Sequence, residues 1–228
     1  MARWGMVIDL DKCTGCQSCT ITCWQENNIP HGSPEEQAQR REIYWNRVLA
    51  VSRGQYPNSR IELIPMPCMH CENPPCVTVC PAKATYRRDD GIVIQNFRRC
   101  IGCRYCLVAC PYNVRSFNFK DQVAEEYHRA DPPPDRGSRE PWPFPHRTRG
   151  VVEKCTFCFH RIDRAIRENK KIGVEVVPAC VEACPSQARA FGDLDDPESP
   201  VAKLMVTRTA FRLREELGTS PKVFYLPR

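Results

Sequence analysis

The sequence predicts an α+β fold built from two βαββαβ units, with hairpin and loop insertions between them. Sixteen cysteines among 228 residues fall into four groups of four, and no cysteine is left over. Short extended runs flank the groups, and three of the four groups are followed directly by a proline. Alternation of strand, cysteine loop and helix predicts two similar halves, each holding two metal clusters.

The spacing within the groups indicates iron-sulfur chemistry. The first and third groups have the C-x2-C-x2-C-x3-C spacing of bacterial ferredoxins. Three thiolates two residues apart can wrap a loop around one cubane, while the fourth lies on the following helix and reaches a neighbouring cluster. We therefore predict four [4Fe-4S] clusters in exchanged pairs. The groups are Cys13, Cys16, Cys19, Cys23; Cys68, Cys71, Cys76, Cys80; Cys100, Cys103, Cys106, Cys110; and Cys155, Cys158, Cys180, Cys184.

Two other uses of cysteine fit less well. Disulfides between C-x2-C neighbours would close tight, strained loops, and a chain of this length does not depend on such links. Structural zinc uses two C-x2-C pairs far apart and has no need of a third cysteine two residues on. Zinc stays an alternative chiefly for the fourth group, whose C-x2-C-x21-C-x3-C spacing is the least ferredoxin-like.

The gaps between groups predict which cysteines share a cluster. Only 19 residues separate Cys80 from Cys100, whereas 44 separate Cys23 from Cys68 and 44 separate Cys110 from Cys155. The middle groups therefore form an inner unit, residues 64–120, and the outer groups form an outer unit, residues 1–30 with 150–199. The predicted ligand sets are Cys68, Cys71, Cys76 with Cys110; Cys100, Cys103, Cys106 with Cys80; Cys13, Cys16, Cys19 with Cys184; and Cys155, Cys158, Cys180 with Cys23.

The remaining elements follow from local patterns. We expect strands at MVIDL and IVIQ, which precede cysteine loops, and at RSFNF and ARAFGDL, which follow them. The segment TYRRDDGIVIQNF is typical of a hairpin. Residues 31–63 predict an inserted hairpin, and residues 121–149 a proline-rich surface excursion. FHRIDRAIRENKK and PVAKLMVTRTAFRLREELG predict helices, so residues 200–228 are expected to form a helix and an extended tail ending in KVFYL.

Charge and hydropathy exclude two classes of partner or location. The formal net charge of +6 treats the cysteines as neutral, whereas loaded clusters would shift it by about −8 to about −2, so nucleic acid is not expected as a partner. No stretch is apolar enough to cross a bilayer, and the N-terminus shows no export signal. We expect no direct membrane span.

Several residues beside the cysteines could adjust the clusters. His70 and His160 could donate a hydrogen bond to a cluster sulfur or even replace a ligand, and Trp24 could lie on a path out of an outer cluster or form a plain aromatic contact. Cations beside the motifs could offset buried negative charge, namely Lys12, Arg98, Arg99, Arg104, Lys154 and Arg161.

No catalytic constellation accompanies the clusters. The sequence has no glycine-rich phosphate loop, no flavin or nicotinamide fingerprint and no nucleophile elbow. Fully ligated [4Fe-4S] clusters exchange one electron at a time, so the chain is predicted to be a non-catalytic electron carrier.

The chain resembles a known family over nearly its whole length. The motifs C-M-H-C-E-N-P-P-C, K-C-T-F-C-F-H-R, P-A-C-V-E-A-C-P, F-G-D-L-D-D-P-E-S-P and G-T-S-P-K-V-F-Y-L are similar to those of the iron-sulfur subunit of polysulfide reductase. The iron-sulfur subunits of arsenate reductase and dimethyl sulfoxide reductase are also similar. All sixteen ligand positions are cysteine here, which argues for four full cubanes rather than a three-iron cluster.

The resemblance implies partners and a location. It implies a molybdopterin-containing catalytic subunit and an integral membrane, quinone-interacting subunit, with this protein peripheral between them. It favours the periplasmic face, through export together with a signal-bearing partner, and leaves the cytoplasmic face open. A quinol-oxidising alternative complex III-like assembly and a free-standing polyferredoxin are the alternatives.

Overall fold

The computed structural model describes residues 2–120 and 147–228. Within these ranges the elements are β1 (Trp4–Asp9), α1 (Ser18–Glu26), α2 (Pro34–Ala38), β2 (Asn46–Arg53), β3 (Arg60–Pro67), α3 (Pro75–Thr78), β4 (Thr85–Arg87), β5 (Val93–Gln95), α4 (Tyr105–Val108), β6 (Arg115–Phe117), β7 (Val152–Lys154), α5 (Phe159–Arg167), α6 (Ala179–Glu182), β8 (Arg189–Asp193), α7 (Pro200–Thr207) and β9 (Val223–Leu226). Most of the proline-rich excursion predicted over 121–149 lies outside the described residues.

Each connection between consecutive cysteine groups contains an antiparallel pair of strands. β2 pairs with β3 between the first and second groups, β4 with β5 between the second and third, and β6 with β7 between the third and fourth. β8, which follows the fourth group, pairs antiparallel with β1, which precedes the first. The ribbons therefore return the chain from each cysteine helix to the next cysteine loop.

The α+β content agrees with the prediction, and the strand pairing adds a feature that the sequence did not indicate. The first and last strands of the predicted inner unit are β3 and β6. In the part of the chain that the structure describes, they pair with β2 and β7 rather than with each other. The linkers thus cover sheet edges that would otherwise be exposed, and β6·β7 joins the predicted inner and outer units.

The C-terminal strand closes the outer sheet. β9 pairs in parallel with β1, which places β1 at the centre of a three-stranded sheet in the order β8-β1-β9. Met6, Ile8 and Tyr225 of this sheet are fully buried in the main core, which also contains cysteines from the first, second and fourth groups. The hydrophobic core and the cysteine sites are therefore one structure.

The long helix predicted over residues 200–218 is wrong beyond Thr207. Ser199 caps α7, but Arg208 is extended, with φ −137° and ψ 144°. Phe211 then forms a bridge with Tyr225, in which the Phe211 amide donates to the Tyr225 carbonyl at 2.9 Å and the reverse bond measures 2.8 Å. These tertiary hydrogen bonds replace the helical ones, and only a short 3-10 turn remains at Glu215–Leu217.

The helix predicted from FHRIDRAIRENKK is shorter than expected. α5 ends at Arg167, with Arg164 and Arg167 in its last turn as basic residues. The Asn169 backbone is left-handed, with φ 53°, and the chain turns away there. Among the helices that the structure describes, none is long and apolar enough to cross a membrane.

Candidate iron-sulfur sites

The loops of the first and third groups have the same backbone conformation. Gly15 and Gly102 have φ of 70° and 71°, and Gln17 and Arg104, two residues later, have φ of 63° and 62°. The left-handed positions turn the chain sharply between ligands and are adopted most readily by glycine. A Cβ on Gly102 would lie 2.3 Å from the carbonyl oxygen of Gly150, so glycine is required there on space as well.

The structure brings together the first predicted ligand set. A cavity is lined by the first three cysteines of the first group and by a cysteine of the fourth group that lies 165 residues beyond Cys19 in the sequence. We call this cavity site 1; its cysteines are Cys13, Cys16, Cys19 and Cys184.

A second cavity brings together another predicted set. It is lined by three cysteines of the second group and by the last cysteine of the third group. Its other lining residues include Pro74, Pro75 and Pro111, whose rings line the cavity without contributing an N–H group. We call this cavity site 3; its cysteines are Cys68, Cys71, Cys76 and Cys110.

The other two sets are identified by the thiols that affect one another. Burial raises the pKa of Cys23 well above its ordinary value, and the neighbouring thiols Cys155, Cys158 and Cys180 raise it further. We call this buried set site 2. Burial likewise raises the pKa of Cys106; Arg115 opposes this, and Cys76, Cys100 and Cys80 add to it. Cys103 lies on the same loop and is exposed. We call Cys80, Cys100 and Cys106 site 4, and Cys103 is assigned to it as the sequence predicts.

The four sites lie in a row. Burial raises the pKa of Cys180, and Cys19 of site 1 is among the thiols that add to this shift. Burial raises the pKa of Cys155 to about 12, with contributions from Cys180 and from Cys68 of site 3. Cys76 of site 3 acts in the same way on Cys106 of site 4. These neighbours give the order site 1, site 2, site 3, site 4.

The ends of this row include exposed cysteines, whereas the cysteines of its middle are mostly buried. Cys16 of site 1 and Cys103 of site 4 are exposed. The four cysteines of site 2 are buried, and only Cys110 of site 3 is partly accessible. Small molecules and partner proteins can therefore approach the two end sites most closely.

The last cysteine of a group can accept a hydrogen bond from an amide four residues later. The Ala84 amide donates to the Cys80 sulfur at 3.2 Å, and the Ala188 amide donates to the Cys184 sulfur at 3.3 Å. In the first group the helix continues past the cysteine, and the side-chain amide of Asn27 lies 3.5 Å from the Cys23 sulfur. Hydrogen bonds of this kind stabilise a thiolate ligand.

Sequence reasoning missed two buried arginines, Arg115 and Arg189. Arg189 donates from Nη2 to the Cys19 sulfur at 3.2 Å and from Nη1 to the Cys180 sulfur at 3.6 Å. Arg115 lines site 3. The signal that could have found them is position, since each lies five residues after the last cysteine of its group. Lys154, which the sequence did suggest, is buried and donates to the Cys155 carbonyl at 2.8 Å.

The histidines considered from the sequence make other contacts. His70 is fully buried, its Nδ1 accepts from the Val93 amide at 3.1 Å, and its ring stacks on Phe157 with centroids 3.7 Å apart. His160 lies 2.7 Å from a carboxylate oxygen of Glu26. Trp24 makes aromatic contacts with Tyr44 and His31.

The donors present suit iron-sulfur clusters. Sites 1 and 3 each present four thiols to one cavity, and the burial that raises the pKa of Cys71 to about 12 would keep this thiol protonated without a bound cation. A buried Nη2 atom of Arg115 has no hydrogen-bond partner within the described ranges, as expected beside a cavity that holds an anionic group.

Comparison with known proteins agrees with this chemistry. Residues 59–129 and 99–188 match two family models, each described as a 4Fe-4S dicluster domain. The iron-sulfur cluster-binding subunit of menaquinone reductase from Nitratidesulfovibrio vulgaris is 43% identical over 99% of this protein and 89% of its own length.

Two further relatives have names that the sequence motifs indicated. The iron-sulfur subunit of the arsenate respiratory reductase of a Shewanella species is 38% identical over 98% of this protein and 96% of its own length. The B subunit of polysulfide reductase from Wolinella succinogenes is 34% identical over 99% and 94%. The resemblance inferred from the motifs is thereby confirmed. The protein belongs to the family of iron-sulfur, electron-transferring subunits of oxidoreductase complexes such as these.

Proposed function

We propose that this protein relays single electrons through four [4Fe-4S] clusters, one at each site, between a quinone-handling membrane subunit and a molybdopterin-containing catalytic subunit. The ligands at site 1 are Cys13, Cys16, Cys19 and Cys184; at site 2, Cys23, Cys155, Cys158 and Cys180; at site 3, Cys68, Cys71, Cys76 and Cys110; and at site 4, Cys80, Cys100, Cys103 and Cys106.

The observation that carries this proposal is the row of four cysteine sites with exposed ends. A relay needs an entry and an exit that partners can approach, and Cys16 of site 1 and Cys103, assigned to site 4, are both exposed. It also needs intermediate sites that are protected from water and oxidants, and the cysteines of site 2 are all buried. A single-site carrier would need neither feature.

The residues of the protein hold and insulate the electron-carrying groups. Each bound [4Fe-4S] cluster supplies one-electron chemistry. The first three cysteines of one group would hold three irons of a cluster, and the last cysteine of the exchanged group would hold the fourth. The stacked rings of His70 and Phe157 belong to the ligand loops of sites 3 and 2 and exclude water between them.

The partner subunits are inferred from the relatives and from the motifs. One relative is named for menaquinone and two for arsenate and polysulfide, which supports a quinone on one side and a small oxyanion or sulfur substrate on the other. Catalysis is assigned to a partner, because no catalytic constellation accompanies the cysteines. The location proposed is peripheral, on the membrane through the partners and on the periplasmic face.

The complex itself provides the test. A site 2 variant, Cys155→Ser, should abolish reduction of the terminal substrate by menaquinol in the purified complex. The same complex should keep its activity with a reduced dye that delivers electrons directly to the catalytic subunit. Loss of both activities with the complex still intact would contradict a non-catalytic role for this protein.

Metal content separates the proposal from its alternatives. Molybdenum or tungsten in the complex isolated without oxygen would support the catalytic partner proposed here. Iron without either metal would indicate an alternative complex III-like assembly if the protein has stable partners, or a free-standing polyferredoxin if it has none. A protease added to intact cells stripped of their outer layers would test the periplasmic face.

A further inference from the structure

Two arginines occupy equivalent places in the two halves of the molecule. Arg115 begins β6, five residues after Cys110, and Arg189 begins β8, five residues after Cys184. Both are buried, each with 6% of its surface exposed. An arginine remains charged in proteins, so each places a permanent positive charge in the interior.

Arg189 lies between sites 1 and 2. Its Nη2 atom is 3.2 Å from the sulfur of Cys19 in site 1, and its Nη1 atom is 3.6 Å from the sulfur of Cys180 in site 2. Burial disfavours its charge, but the thiols of Cys180 and Cys19 more than offset this and raise the pKa of Arg189 above its ordinary value.

Arg115 lies in the corresponding place between sites 3 and 4. Burial again disfavours its charge, and Cys76 of site 3 and Cys106 of site 4 are the thiols that most strongly raise the pKa of Arg115. Its Nη1 atom is 3.2 Å from Oε1 of Gln95, whereas its buried Nη2 atom has no hydrogen-bond partner in residues 2–120 and 147–228.

No carboxylate in those two ranges forms an ion pair with either arginine. Arg189 donates to Oδ1 of Asn46 at 3.0 Å, so both guanidinium groups are positioned by neutral amides. Other buried or half-buried arginines differ: Arg147 lies 2.7 Å from Glu153, and Arg161 lies 2.6 Å from Glu26. The charges of Arg115 and Arg189 are therefore available to act on whatever the cysteines hold.

We infer that Arg189 raises the reduction potentials of the clusters in sites 1 and 2, and that Arg115 does the same for sites 3 and 4. This inference rests on the proposed function. A cluster held at these cysteines would become more negative by one charge on reduction, so the fixed positive charge of the arginine beside it would stabilise the reduced form. The two arginines are positioning residues, since no bond or proton changes in the step.

Lys154 lies between sites 2 and 3, but its positive charge is not permanent as that of an arginine is. It is buried, and the thiols of Cys68 and Cys155 lie close enough to act on that charge. A buried lysine can lose its proton, whereas an arginine cannot, so only the arginines carry a fixed charge.

The test is an anaerobic potentiometric titration of the full protein, followed by electron paramagnetic resonance. Arg189→Gln should lower the midpoint potentials of two of the four one-electron steps, and Arg115→Gln should lower those of the other two. We expect at least about a tenfold change in the ratio of reduced to oxidised cluster at a fixed potential, which corresponds to about 59 mV for one electron. Arg189→Lys and Arg115→Lys, titrated at a pH low enough to keep a buried lysine protonated, should reverse most of the shift.

Lys83→Gln is the matched control. Lys83 is exposed, three residues after Cys80, and the equivalent position after Cys184 is Gln187, with almost the same backbone angle, φ 49° against 50°. Glutamine therefore fits the backbone there. An exposed charge is screened by solvent. At a fixed potential, this variant should therefore keep the ratio of reduced to oxidised cluster within about twofold of the wild-type value for all four steps.

Shape-preserving variants keep the test decisive if the arginine variants fail to fold. Asn46→Asp places a carboxylate against Arg189, and Gln95→Glu places one against Arg115, with almost no change in volume. Each should lower the midpoint potentials of the same two steps as the corresponding arginine variant.

The outcomes separate this inference from the proposed function. If the wild-type protein binds no clusters, the proposed function fails. If all variants contain full iron but their titrations match that of the wild type, the inference is overturned while the relay stands. Equal shifts of all four steps in every variant would also overturn it.

Discussion

The thiols in the middle of the row are so deeply buried that their ionisation is unfavourable in free energy. Burial is the largest cause of the raised pKa in Cys23, Cys155 and Cys158, and the neighbouring thiols add to it. A bound cation reverses this balance, because it stabilises the thiolate form. The individual cysteine is therefore suited to its site only when iron is present.

Exchange of ligands between groups can be tested with three single substitutions. Cys23→Ser and Cys155→Ser should alter the same one-electron step, because both residues belong to site 2. Cys19→Ser is the matched control, since Cys19 lies in the same helix as Cys23 but belongs to site 1, and it should alter a different step. Potentiometric titration with iron analysis measures both effects, with a loss of at most about four irons in each case. A shared step for Cys23→Ser and Cys19→Ser would refute the exchange.

A second residue-scale prediction concerns Gly102. Gly102→Ala places a Cβ 2.3 Å from the Gly150 oxygen at φ 71°, whereas Gly218→Ala, at φ 65°, meets no atom within 4 Å. The control variant should lose about 1 kcal/mol, or about 3 °C in Tm, through the left-handed backbone alone. Gly102→Ala should lose at least twice as much because backbone must also move. Equal Tm values in a thermal melt of the two variants would contradict this.

The sequence predicted the ligand candidates but not the residues between them. Cysteine spacing is set by the local geometry of a loop, so it is visible in the sequence. Arg115 and Arg189 carry no local motif, and their role depends on distant partners such as Cys19, which lies 170 residues from Arg189. Only the fold brings such residues to the sulfur atoms.

The strand pairs are the elements that connect one cysteine group to the next. Hairpins formed by neighbouring residues, such as β4·β5, were predictable because the turn and both strands lie within one short stretch. The pairing of β1 with β8 and β9 joins opposite ends of the chain and was not predicted. The helix predicted beyond Thr207 does not form, again because of residues that are distant in the sequence. Hydrogen bonds between Phe211 and Tyr225 outweigh local helix propensity there.

Tyr225 provides a test at the scale of elements. Its buried hydroxyl donates to the Pro65 carbonyl of β3 at 2.8 Å and so links β9 to the hairpin β2·β3. Tyr225→Phe should cost about 1 kcal/mol, or about 3 °C in Tm, since the buried carbonyl loses its donor. Tyr56→Phe is the control, because Tyr56 is 94% exposed and should melt as the wild type does. Equal melting of the two variants would argue against the bond.

The molecule as a whole is folded around its cysteines. Within the described ranges, the main core includes cysteines of the first, second and fourth groups together with Trp45, Phe157 and Phe191, and no large apolar core supports the sites from outside them. Two smaller clusters of buried residues accompany it in the same part of the chain. Folding and cluster binding are therefore expected to be coupled.

Removal of iron tests this coupling. Protein stripped of iron by oxidation and chelation should lose its sharp thermal transition and become sensitive to protease, because buried thiols without cations leave the core incomplete. Reconstitution with iron, sulfide and a reductant should restore both properties. A stripped protein that still melts cooperatively near the original Tm would show that the fold is independent of its clusters.

The central claim is that this one protein holds four one-electron sites in a row. The most direct measurement is the number of electrons that the anaerobically purified protein takes up per molecule in a coulometric titration. We expect about four electrons, one for each [4Fe-4S] cluster. Uptake of about two or fewer by protein with full iron content would contradict the claim.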